Sequence, residues 1–135
     1  VWVRVRMKRP KATAPAQLLK EKEDPKGTEI VDEVKPQRQD VVFHKRRPDG
    51  FVGTDFDLML RNNGIEAIVI GGVATEGGVE GTARSARNRG YDVVILKDCV
   101  GSRSREGHEM ALKLMEQAYF DIATASEIAE IWRRK

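Results

Sequence analysis

One cysteine, Cys99, is all the thiol this 135-residue chain contains. A lone thiol can form neither an internal disulfide nor a cysteine cage for zinc, which fits a reducing compartment and leads us to expect a cytoplasmic protein. Histidine is almost as scarce: His44 and His108 are the only two, and their separation does not match metal-ligand spacing. No metal and no cofactor is therefore expected. Long apolar runs are missing too, with nothing near the ~20 residues a membrane-spanning helix needs. The first residues lack the charged, apolar, small-residue order of a secretory signal. No membrane partner is expected.

What is present suits a folded domain. Hydrophobic residues make up 40% of the chain and charged residues 33%, so a core can form and general disorder is excluded. The length is that of a single domain, residues 1–135. The net charge of +3 is unevenly spread. Residues 1–50 carry 13 Lys and Arg against 8 Asp and Glu, whereas residues 51–135 carry 11 against 13. Acids are interspersed among the bases and aromatics are sparse there, so the first half reads as a solvated surface rather than a nucleic-acid-binding arm.

Local pattern divides the chain into an irregular part, 1–39, and a regular part, 40–135. Val1, Val3 and Val5 alternate with polar or bulky residues, the period of a strand. Residues 7–27 are polar and broken by prolines, with a helical turn expected around 17–23. Residues 28–34 read as a short helix stopped before Pro36. Strands are expected at 40–44, 65–70, 92–97 and 120–123. Between them lie helices opened by Thr54 (with Asp57 as a capping-box partner) and by Thr75, then a helix over 106–119 and a last one capped by Thr124 and Glu127. Val79, Thr82, Ala83 and Ala86 form one inner stripe; Ala111, Leu114, Met115 and Ala118 form another. Strands of 4–7 residues alternating with helices imply right-handed crossovers and a mainly parallel sheet covered on both faces, an α/β fold.

The richest segment runs from Ile68 through Gly71, Gly72, Gly77, Gly78 and Gly81 to Arg84. It passes from a strand through a tight turn into a helix, the place where open α/β sheets bind ligands and where helix N–H groups favour an anion or oxyanion. It is not a P-loop, and it lacks the dinucleotide Gly-x-Gly-x-x-Gly spacing. From the residues alone, the glycines either shape a pocket or only let strand, turn and helix pack closely.

Three blocks in order and spacing resemble one family: Lys45-Arg-Arg-Pro-Asp-Gly-Phe-Val-Gly-Thr-Asp-Phe56, Gly72-Val-Ala-Thr-Glu-Gly-Gly-Val-Glu-Gly-Thr-Ala-Arg84 and Gly90-Tyr-Asp-Val-Val-Ile-Leu-Lys-Asp98. Over about residues 28–132 the chain resembles the isochorismatase-like cysteine hydrolases. The resemblance implies a three-layer α/β/α fold and a homo-oligomer, dimer or tetramer. It also implies a small-molecule substrate or ligand, an amide, imide or carboxylate compound. The thiol-dependent members use an Asp–Lys–Cys triad. The resemblance puts the lysine at Lys45 and the cysteine position at Gly78. The family's aspartate lies on a first strand with no counterpart in these residues, so the first strand and helix are expected to be missing.

Gly78 has no side chain and cannot supply the thiolate that such catalysis needs. The resemblance further implies a cis peptide bond between Val73 and Ala74, an oxyanion hole from the Ala74 and Gly78 N–H groups, and a wall from Phe51 (otherwise a core residue). Glu76, in the same turn, is either a base that activates water or an acid favouring the helix dipole. Cys99 is expected to be a partly buried structural thiol, His44 a satisfied structural histidine and His108 ordinary. Two functions follow as expectations: a hydrolase-like protein with its nucleophile replaced by Gly78, or a non-catalytic binding or scaffold relative.

Overall fold

The computed structural model describes residues 3–7, 30–118 and 120–134. Strand β1 (Val3–Met7) pairs in parallel with β2 (Val41–Lys45), Val3 opposite Val41 and Met7 opposite Lys45. The strand predicted for the first residues is therefore present. The turn predicted around 17–23 lies outside the described residues. The helix expected at 28–34 is reduced to a single 3-10 turn, Asp32–Val34.

The second sheet has the order β3-β4-β5, again all parallel: β3 (Ala67–Val73), β4 (Asp92–Gly101) and β5 (Asp121–Ala123). Helices α2 (Glu80–Asn88) and α3 (Arg105–Gln117) fill the crossovers of this sheet, α1 (Phe56–Asn62) lies between β2 and β3, and α4 (Ala125–Arg133) follows β5. The α/β architecture with parallel strands covered by helices on both sides is as expected. Among the described residues no pairing joins β2 to β3, so the strands form two sheets rather than one. No helix among them is long and apolar enough to cross a membrane.

Both middle strands run further than periodicity predicts. β3 continues through Gly71 and Gly72 to Val73, and β4 reaches Gly101, with a register shift between Ile70 and Gly72. The glycine at 71 is what permits this: a Cβ there would stand 3.1 Å from the Cys99 carbonyl oxygen. Cys99 thus lies inside a strand, and its side chain is exposed rather than partly buried. Burial of the group where it does occur, and the Asp98 charge beside it, push its thiol pKa up.

The core is built from Phe51, Phe56, Leu60, Ile70, Val79, Ala83, Ala86, Val93, Ile95 and Met115 with Tyr91 and Phe120. Val79, Ala83 and Ala86 are buried as their spacing predicts. On α3, Ala111 and Met115 face inward, but Leu114 is 45% exposed. Leu112 packs on the core instead, so the inner face is rotated from the predicted stripe.

The caps separate correct from mistaken local reading. Thr124 and Glu127 make the predicted capping box, the Glu127 N–H donating to Thr124 Oγ1 and the Thr124 N–H to Glu127. Ser104 caps α3 by accepting from the Gly107 N–H at 3.0 Å. Asp55 rather than Thr54 holds the N-cap position of α1, yet the Thr54 hydroxyl accepts from the Phe56 N–H at 3.3 Å while donating to the Gly50 carbonyl. Asp57 accepts from Tyr91 and Arg61 instead of closing a box. Gly64, at φ +63°, is the left-handed exit predicted after α1.

Candidate functional site

The site forms where the chain leaves β2 and β3 at the same end of the fold. Lys45 is the last residue of β2 and is only 8% exposed. Its Nζ donates to the carbonyls of Arg47, at 3.2 Å, and Pro48. Burial pulls its pKa below the ordinary 10.5, opposed by the nearby Asp49 charge. None of the ion pairs among the described residues involves it.

The loop that bends around Lys45 is bolted to α2. Asp49 accepts from the Phe51 N–H at 2.9 Å and from the Ser85 hydroxyl. The Gly50 N–H donates to Thr82 Oγ1 at 2.9 Å. Sequence reasoning singled out none of Asp49, Thr82 and Ser85 as anchors. The signal available was the Asp-Gly turn dipeptide together with two hydroxyls three residues apart on one helix face.

On the other side, β3 ends at Val73, which is 81% exposed, and the Val73–Ala74 peptide bond is cis, as the resemblance implied. A single π-type turn, Thr75–Val79, follows and feeds directly into α2. Thr75 is not the N-cap of that helix: Val79 takes the position, and the Thr75 side chain is fully buried against α3. Gly78 sits in the turn facing Lys45. A Cβ built on it would stand 3.4 Å from Lys45 Nζ, 3.5 Å from the Val73 carbonyl oxygen and 3.6 Å from the Pro48 carbonyl oxygen. These are ordinary contacts, so the space for a side chain exists and is lined by a cation and carbonyls.

Of the predicted site residues, Lys45, Val73, Ala74 and Gly78 come together here. Phe51 takes the core role of the two left open for it: it is 6% exposed, packs on Phe56 at 4.7 Å between centroids, and lies under the Arg89 guanidinium. Glu76 is exposed and accepts a 2.6 Å hydrogen bond from Ser102. That bond comes first among the causes that hold its carboxyl below the usual range. His44 is exposed. His108, expected to be ordinary, shares a 2.8 Å hydrogen bond with Thr75. No group of three His, Cys, Asp or Glu among the described residues stands where it could hold a metal.

Comparison with known proteins bears on the family of the chain. The family model described as Isochorismatase domain matches residues 1–127. An isochorismatase family protein of Bacillus subtilis (strain 168), YwoC, is 39% identical over 102 residues, 76% of this chain and 54% of that protein. A maleamate amidohydrolase of Pseudomonas putida is 29% identical over 70% of this chain and 44% of its own length. The crystal structure of an isochorismatase-like hydrolase from Alkaliphilus metalliredigens superposes with a TM-score of 0.85 at 30% identity, covering 96% of this chain and 72% of that one. The chain spans about half the length of the curated relatives it matches. With the model matching nearly its whole length, this chain belongs to the isochorismatase family.

Proposed function

We propose that this chain is a hydrolase-like member of the family that takes a small amide, imide or carboxylate compound between Lys45 and the turn at Ala74–Gly78. Any turnover there uses water rather than a covalent thioester. One observation carries the reading: the open position at Gly78 lies 3.4 Å from a buried ammonium. Among the described residues Lys45 forms no ion pair and donates only to carbonyls, and such a buried cation favours an anionic or strongly polarised oxygen beside it. An amide carbonyl or a carboxylate supplies one, and the Ala74 and Gly78 N–H groups are the donors assigned to it. The likeness to a maleamate amidohydrolase supports the same substrate class.

Titration of the chain with maleamate and with nicotinamide by calorimetry tests this. Binding that is lost in Lys45→Ala supports it. Absence of binding to either compound at millimolar concentration, together with a Gly78→Cys variant that hydrolyses neither, overturns it. A second reading, a binding or assembly protein without turnover, is favoured by Gly78 itself, because removing a nucleophile costs many orders of magnitude in rate. It predicts binding with no product. Self-association into a dimer or tetramer belongs to both readings and is measured by light scattering.

A further inference from the structure

Two side chains of the Thr75–Val79 turn point away from Lys45 and engage the next crossover. Thr75, with none of its surface exposed, shares its hydroxyl with Nδ1 of His108, in the first turn of α3, at 2.8 Å. Glu76 accepts from the Ser102 hydroxyl at 2.6 Å. Ser102 in turn accepts from the Ser104 N–H at 3.1 Å, and Ser104 caps α3. A Cβ on Gly107 would meet the Glu76 carboxyl carbon at 3.4 Å, so that carboxylate rests on the first turn of α3. Negative charge is favoured there by the unpaired N–H groups and the helix dipole. Glu76 is thereby committed to α3 and is not free to activate water beside Lys45.

The two bonds are adjacent in the chain and reach different partners, one within α3 and one just before it. They restrain rotation of the turn as well as its distance from α3, which a single bond could not do. The residues they hold, Thr75 and Glu76, lie between Ala74 and Gly78, so the restraint acts on the turn that carries both.

We propose that His108 and Ser102 are positioning residues that act through Thr75 and Glu76 to fix the turn carrying Ala74 and Gly78. The ligand part of this proposal rests on the reading of that turn given above. The fixing of the turn does not.

Three variants test it: His108→Ala, His108→Asn and Ser102→Ala. Asn places a polar side-chain atom close to where Nδ1 stands and keeps the bond to Thr75. The first readout is amide hydrogen exchange at residues 75–80 in the ligand-free protein. Ala at 108 or 102 should speed exchange there roughly five- to tenfold while exchange in β4 stays as in the parent, and Asn at 108 should restore it. The second is the maleamate Kd, which should weaken by a similar factor and recover with Asn. Unchanged exchange at 75–80 in both Ala variants, or an Asn variant no better than Ala, overturns the proposal. If the parent binds no maleamate, the ligand reading fails and the exchange readout alone decides the clamp. If His108→Ala does not fold, Ser102→Ala and His108→Asn carry both readouts.

Discussion

The Gly50 N–H donates to Thr82 Oγ1 at 2.9 Å, across 32 residues of sequence, and this bond ties the loop after Lys45 to the helix after Gly78. Gly50 is buried, so the N–H has no ready substitute partner. Thr82→Val, which keeps the shape and removes the acceptor, should destabilise the fold by about 1–3 kcal/mol. Urea unfolding measures this. A loss near zero would mean that the loop is held by Asp49 and Ser85 alone.

Replacing Gly78 by Cys puts a thiol into a prepared environment. Its Cβ would stand 3.4 Å from the Lys45 ammonium, close to the start of α2, and both lower a thiol pKa. Cys99 is displaced in the opposite direction. In a Gly78→Cys, Cys99→Ser variant, the pH profile of iodoacetamide alkylation should therefore have its midpoint well below that of parental Cys99. Coincident midpoints would show that Lys45 does not sense position 78.

Lys45 also links stability to pH. Its folded pKa is lowered by burial below the 10.5 taken for the free group, so the unfolded chain holds the proton more tightly. Between the folded value and 10.5 the unfolded state binds more protons, and stability from this group rises with pH across that window. Lys45→Met should therefore be more stable than the parent at pH 7, with the gap narrowing towards pH 10.5. Unfolding titrations at a series of pH values follow the gap. A gap that is constant or widens with pH contradicts the burial of the ammonium.

Asp57 gives a slope of the same sign, but in acid, because its folded pKa is also lowered. Its pKa is lowered, first by the Tyr91 hydroxyl, which donates to it at 2.8 Å. The stabilisation is complete above the ordinary 3.8 and is lost as pH falls through the lower folded value. Tyr91→Phe should be less stable than the parent at neutral pH, and the difference should shrink in acid. Thermal melts at pH 7 and pH 2.5 distinguish this from a pH-independent packing defect.

Met115 and Ile95 are each fully buried at the centre of the core. Met115→Ala should cost about 2–5 kcal/mol, as large-to-small core changes do. Denaturant midpoints with an unchanged slope would check it.

Much of this architecture could be read in the sequence because periodicity and caps are local. The Thr124–Glu127 box, the left-handed exit at Gly64 and the buried Val79, Ala83 and Ala86 face all follow from neighbours within four residues. Two failures came where a side chain found a partner far along the chain: Asp57 meets Tyr91 and Thr75 meets His108, so two plausible local caps are tertiary contacts. Thr54 differs, since its hydroxyl turns back within four residues to the Gly50 carbonyl. The ends of β3 and β4 were invisible because Gly71, Gly72 and Gly101 carry no hydrophobic signal, yet the backbone can continue the ladder through them. Lys45 and Gly78 stood out through motif resemblance. His108 and Ser102 did not, since nothing in their own neighbourhoods marks them.

The two sheets have a further consequence. Within each one, parallel ladders resist sliding because many hydrogen bonds load together. Between β2 and β3 the described residues offer no ladder, and the contacts across that boundary include the Phe43–Phe56 and Phe51–Tyr91 ring contacts, Arg89 over Phe51, and the Asp49–Ser85 and Gly50–Thr82 bonds. Force pulling β1 away from β5 would load side-chain contacts at that boundary rather than a hydrogen-bonded ladder, and Lys45 and Gly78 lie on its two sides. A molecule held between them would act as a rivet across that boundary.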